Sequence, residues 1–268
     1  MSPIKFQSLQ QGGTTLLVVP ELVEHITPSW FDLNWWRDQG LLESSAPGRG
    51  ESYFVNYSLQ QSNLERSSLK QSNREQPSPS KADPEQKVLP MVWRHYRRGG
   101  VVSRFSEDSY LWPGLTKTRP WLELNLTADL YDRGLPVPRP LAARVVREGL
   151  FYRADLLTER LPKVKSMADR LSDNNSDLPW SEIGATVAEF HQIGLDHVDL
   201  NIRNILLGQD NRVYLIDFDR CRLRSLSKGW QKSNLDRLRR SIDKEFSSAC
   251  SDSGWQQLLQ GYGGFLGH

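Results

Sequence analysis

Cysteine is scarce in this chain: Cys221 and Cys250 are the only two in 268 residues. So few thiols build no disulfide framework, so the fold must rest on buried apolar surface, and free thiols in a reducing compartment are expected. Long apolar runs are missing as well. None approaches the roughly 18 residues that span a bilayer. The first twenty residues lack a basic stretch leading into an apolar core, so no export leader is expected. The run Leu16-Leu17-Val18-Val19 is stopped by Pro20 and reads as a strand. These absences point to the cytoplasm, or to a membrane approached from its cytoplasmic side. A dominant sign of charge is lacking too, because 34 Lys and Arg face 32 Asp and Glu for a net +2.

What charge there is has been gathered locally. From Arg220 to Arg240 the cations Arg220, Arg222, Arg224, Lys228, Lys232, Arg237, Arg239 and Arg240 face one acid, Asp236. Arg94, Arg97, Arg98 and Arg104 form a second cluster. Both suit an anionic partner, whether phosphate, nucleic acid or an acidic membrane surface. Between residues 58 and 87 aliphatic side chains nearly vanish: Leu59, Leu64, Leu69 and Ala82 stand among Ser, Gln, Asn, Pro and charge. Leucines five apart fit neither a helix face nor a strand face. This segment is expected to be a disordered insertion, since it cannot bury enough apolar surface to offset its ordering entropy.

Around it the pattern is regular. Strands are expected at 16–19, 53–57, 88–96, 142–147 and 150–160, with helices at 30–42 and 120–133. After Pro162 the spacing of Ile183, Val187, Phe190 and Ile193 predicts a helix over 180–193. Short strands at 205–207 and 213–216 follow, and the remainder is helical and basic. The expected class is α+β in two lobes: residues 1–160 as an antiparallel-sheet lobe with one helix, and 161–268 as a mainly helical lobe.

One segment carries chemistry. In His197-Val198-Asp199-Leu200-Asn201-Ile202-Arg203-Asn204, an acid in a loop precedes an asparagine by five residues; Ile205-Leu206-Leu207 then opens a hairpin whose second strand ends in Ile216-Asp217-Phe218-Asp219. Phosphoryl transfer needs this division of labour. An acceptor hydroxyl requires a carboxylate to orient it and take its proton, which Asp199 can do. The phosphate requires Mg²⁺ held by hard oxygens, which Asn204 and Asp217 can offer.

These motifs resemble the catalytic loop and metal-binding Asp of the protein-kinase-like fold. Together with Gly48-Arg49-Gly50, Arg94-His95-Tyr96-Arg97-Arg98-Gly99-Gly100, Gly134-Leu135-Pro136-Val137-Pro138 and Leu157-Thr158-Glu159, they resemble the Kdo kinases, which act on 3-deoxy-D-manno-octulosonic acid (Kdo) in lipopolysaccharide. The resemblance implies ATP and Mg²⁺, with Asp199 as the catalytic Asp and Asn204 and Asp217 as metal ligands. It implies a glycine turn, Gly48, Arg49 and Gly50, over the ATP phosphates. It further implies a strand cation, Arg94 with His95 as the alternative, paired with a helix acid, Glu123; Glu159 joins the nucleotide-binding set. Val198 stands where regulated protein kinases carry an Arg, and no Ala-Pro-Glu segment follows, so no phosphorylation switch is expected. Asn201 replaces a frequent Lys, and Arg203 is the candidate for its charge. The implied acceptor is Kdo-lipid A, met by a peripheral enzyme at the anionic cytoplasmic face of the bacterial inner membrane. Neither nucleic acid nor an obligate protein partner is implied. An aminoglycoside- or choline-type phosphotransferase is the alternative. Trp230 and Trp255 could seat at a lipid interface, although core packing is favoured.

Overall fold

A computed structural model describes residues 3–46, 52–59, 88–97, 108–173, 178–245 and 248–266. By the packing of its backbone the chain divides into two compact units. The sheet unit comprises Lys5–Pro113 and Leu141–Arg160; the helical unit comprises Met1–Ile4, Gly114–Pro140 and Leu161–His268. Residues 114–140 thus group with the C-terminal half, where sequence reading draws one boundary at 160. The reason is apolar: Leu130 and Val137 are buried in the same core as Ile183, Phe190 and Leu200.

The sheet unit is built on strands β1 (Gln7–Gln11), β2 (Thr14–Val18), β3 (Leu42–Ala46), β4 (Ser52–Ser58), β5 (Val88–His95), β6 (Tyr110–Leu111), β7 (Pro140–Glu148) and β8 (Phe151–Glu159). Their order is β1-β2-β7-β8-β5-β4-β3, with β6 also on β8. Alternation decides which face is covered. Tyr53, Val55, Met91, Trp93 and Leu157 point to one side and are buried. Trp30 is buried too, its ring 4.4 Å from that of Tyr57. Helix α1 (Leu33–Asp38) starts where the Asp32 carboxylate accepts from Asn34 N at 2.9 Å. The expected helix over 30–42 is therefore shorter. A 3₁₀ turn, Pro28–Phe31, precedes it and β3 begins at Leu42.

The other face of β4, β5 and β8 is different. Phe54 lies opposite Val92, and Val92 opposite Thr158; Ser52 lies opposite Arg94, and Arg94 opposite Leu156. Phe54, Val92, Arg94 and Thr158 are only half-buried. An apolar strip thus ends in a cation.

In the helical unit, α2 (Arg119–Asp132), α3 (Met167–Ser172), α4 (Trp180–Gln192), α5 (Lys228–Glu245) and α6 (Ser248–Leu266) surround short strands β9 (Lys165–Ser166), β10 (Leu195–Asp196), β11 (Ile205–Leu207), β12 (Val213–Leu215) and β13 (Arg222–Leu223). Helix α4 buries Ile183, Val187 and Phe190 on one stripe. It lies close against α6 because glycines meet backbone there. A Cβ on Gly184 would strike the Leu258 carbonyl, and one on Gly261 the Ser181 carbonyl. Trp230 is buried edge-on to His191, their ring centroids 5.2 Å apart, and Trp255 packs on the same core.

Candidate active site

The loop from His197 to Asn204 is tied at both ends. At its start, His197 N donates to Asn234 Oδ1 of α5 at 2.9 Å, and Asn234 Nδ2 donates to Asp196 Oδ1 at 3.0 Å. Arg224 Nη1 reaches Asp196 Oδ2 at 2.8 Å. Burial pushes the Asp196 carboxyl up, but the bonds from Arg224 and Asn234 outweigh it and hold the group below the usual carboxylate range. Further along, Ala168 N donates to Ile202 O at 3.1 Å and β11 pairs with both β9 and β12. Inside the loop Asn201 acts as a clasp: its Nδ2 donates to Asp199 O and its Oδ1 accepts from Arg203 N, both at 2.9 Å.

Three of the expected residues meet here. Asn204 Nδ2 donates to Asp199 O at 2.9 Å, which commits its nitrogen and leaves Oδ1 as the end a cation would use. Ile216 N donates to Asn204 O at 3.0 Å, which sets Asp217 beside it. Asp217 has a left-handed backbone, φ 63, a conformation costing a non-glycine residue on the order of 1 kcal/mol or more. Its surroundings hold it. His197, 1% exposed, donates Nε2–H to Ile216 O at 3.1 Å, and burial keeps that imidazole's pKa below its ordinary value. Phe218 is buried between the rings of Phe190 and His197, at 6.2 and 5.5 Å. Asp199 itself is exposed.

The remaining expected residues are carried by other elements. Glu123 is 3% exposed on α2; burial pushes the Cys221 thiol well up, and the carboxylates of Glu123, Asp217 and Asp219 add to that. Arg94 and Glu159 sit on β5 and β8 of the sheet unit. His95 shares the covered face with Trp93. Its Nδ1 is 2.8 Å from fully buried Asp155, whose bond chiefly raises the imidazole pKa, and its Nε2 is 3.5 Å from Asp108. Arg203, the candidate for the Lys charge that Asn201 lacks, forks onto Glu245 at 2.8 and 3.1 Å. Gly48, Arg49 and Gly50 lie outside the described residues, as do Arg98-Gly99-Gly100 and nearly all of the polar stretch after Leu59. His197 belongs to the motif, but Asn234 and Asp196 were not anticipated; Asn234 lies 37 residues from the loop it anchors, inside a polar helix that shows no sign of it.

A family model described as the lipopolysaccharide kinase (Kdo/WaaP) family matches residues 80–262. The chain belongs to that family. Its α+β architecture is the protein-kinase-like one of the Kdo/WaaP kinases. A 3-deoxy-D-manno-octulosonic acid kinase of Photobacterium profundum is 37% identical over 247 residues, covering 91% of this chain and 92% of that one. One of Vibrio vulnificus is 35% identical over 258 residues, 94% and 96% of the two chains. Another, of Xanthomonas campestris pv. campestris, reaches 50% identity over 153 residues, 57% of this chain and 61% of its own. This member of the Kdo/WaaP family has no helix, among its described residues, long and apolar enough to cross a membrane.

Proposed function

We propose that this chain uses ATP and Mg²⁺ to phosphorylate a Kdo residue, at its 4-hydroxyl, on a Kdo-bearing lipid A precursor of the lipopolysaccharide inner core. The relatives' names supply the substrate, and the meeting of Asp199, Asn204 and Asp217 is the observation that carries the chemistry. Asp199 orients the sugar hydroxyl and takes its proton. Asn204 Oδ1 and the Asp217 carboxylate are hard donors suited to Mg²⁺, and two of them are too few to hold it without the phosphates of the nucleotide. Bound Mg²⁺ supplies positive charge against the phosphate oxygens. The half-buried strip of Phe54, Val92 and Thr158, beside buried Leu156, suits an adenine ring, with Arg94 toward the phosphates and Glu159 at the edge. Arg94 is preferred to His95 because the latter's ring is engaged on the covered face. Glu123 and Gly48-Arg49-Gly50 complete the proposed nucleotide-binding set.

The acceptor end is read from the basic segment. Residues 222–229 are all exposed, and Leu223 and Leu226 are 38% and 64% exposed among Arg220, Arg222, Lys228 and Lys232. Cations with protruding leucines fit the anionic cytoplasmic face of the inner membrane and its phosphorylated lipid. A cationic amine acceptor would be repelled there. ADP formation from ATP with transfer of the γ-phosphate to purified Kdo-lipid A, run beside Asp199→Ala, tests the reading. The variant is expected to lose about 10²–10⁴-fold in kcat. Turnover on an aminoglycoside but not on Kdo-lipid A would sink the acceptor assignment.

A further inference from the structure

Arg119 is the first residue of α2, a position that opposes its charge. The N-terminal end of a helix carries partial positive charge and favours anions, yet this first turn contains no acid and no side-chain cap. The guanidinium is turned instead onto Asp219, a residue 100 positions away. Nε donates to Asp219 Oδ1 at 2.8 Å, and Nη2 donates to Oδ2. The fork is two-pronged and largely shielded, with the side chains 27% and 13% exposed. It also delivers a carboxylate to the helix end that lacks one.

Asp219 is two residues beyond Asp217, in a turn with two left-handed non-glycine residues, Asp217 at φ 63 and Arg220 at φ 59. Cys221 N closes that turn on Phe218 O at 3.0 Å. Such a backbone persists only where its surroundings over-determine it. His197 grips the carbonyl just before Asp217, and Phe218 is sunk in the core. The Arg119 fork adds a side-chain tie from the far side of the turn to another element.

We propose that Arg119 and Asp219 are positioning residues, a permanent strut from α2 that holds the Asp217 carboxylate where it meets Mg²⁺. The strut would do by a fixed ion pair what a phosphorylated loop does in regulated kinases. Asp219 is then an anchor, each of its oxygens accepting from Arg119. The inference rests on reading Asp217 as a metal ligand.

The test measures ADP binding by calorimetry across a Mg²⁺ series, without acceptor, for wild type, Asp217→Asn, Arg119→Met, Asp219→Asn and Arg119→Lys. Amide exchange at residues 218–221 is followed in the ligand-free proteins. Arg119→Met and Asp219→Asn are expected to raise the half-saturating Mg²⁺ about 10-fold, in the range found when supports of metal ligands are removed. Exchange in the turn should quicken, and Arg119→Lys, which keeps the charge but not the fork, should fall between. In turnover, kcat should drop while the acceptor KM holds. Should the two truncations not fold, Arg119→Lys decides alone by its Mg²⁺ dependence. Wild-type Mg²⁺ dependence in these variants, beside a shifted Asp217→Asn, overturns the strut. If Asp217→Asn itself is unshifted, the metal-ligand reading has failed and the strut goes with it.

Discussion

At His191 the imidazole is 1% exposed and its Nδ1 lies 2.8 Å from the Tyr262 hydroxyl. Burial pushes its pKa down to about 4, from an ordinary 6.5. Between those values the unfolded chain takes a proton that the folded one refuses, so stability falls as pH drops through that window. At pH 5 the loss from this residue is about 2 kcal/mol relative to pH 7. His95 is shifted the other way and opposes it, so the measurement is a comparison. In urea unfolding at pH 7 and 5, His191→Gln should show a smaller acid loss than wild type by roughly that amount. An equal loss in both proteins would refute the assignment. At this scale the spacing of Asp199, Asn204 and Asp217 was enough to expect that the three would meet, as they do. The sequence was silent where a partner lay far off in the chain. Nothing near Arg203 announces Glu245, and nothing near Asp219 announces Arg119.

Elements were legible in proportion to their one-sided burial. The α4 stripe of Ile183, Val187 and Phe190 repeats at helical spacing, and the observed helix, Trp180–Gln192, ends one residue from its expected limit. Strand β1, Gln7–Gln11, was not foreseen because it is a polar edge strand with little buried on either side. The glycines of α6 were equally opaque. In sequence Gly261, Gly263 and Gly264 look alike, but only Gly261 of the three meets the backbone of α4, while a Cβ on Gly263 or Gly264 meets nothing within 4 Å. Gly261→Ala should therefore force the helices apart and cost about 1–3 kcal/mol. Gly263→Ala should instead stabilise by up to about 1 kcal/mol through helix propensity. Thermal unfolding of the pair gives the answer, and shifts of the same sign would contradict the packing.

For the whole molecule, a net charge of +2 conceals a surface that is far from neutral locally. Arg222 and Lys232 expose 65% and 75% of their side chains, and near an anionic bilayer each such cation contributes about 1 kcal/mol. Reversing Arg222, Lys228 and Lys232 to Glu should weaken sedimentation with phosphatidylglycerol vesicles by at least about 100-fold. Raising the salt should do the same to wild type. Binding indifferent to both would remove the membrane from the proposal. The class of fold was legible at this scale, since strand-rich and helix-rich halves differ in period. The grouping of 114–140 with the C-terminal half was not, because a helix does not declare which core its apolar stripe will join. One further consequence belongs to β4 and β5. Ser58 and Val88 are register partners, so those strand ends stand about 5 Å apart, whatever joins them. A folded reporter with adjacent termini could be spliced in at that point, and the sheet would feel only a modest change in loop entropy.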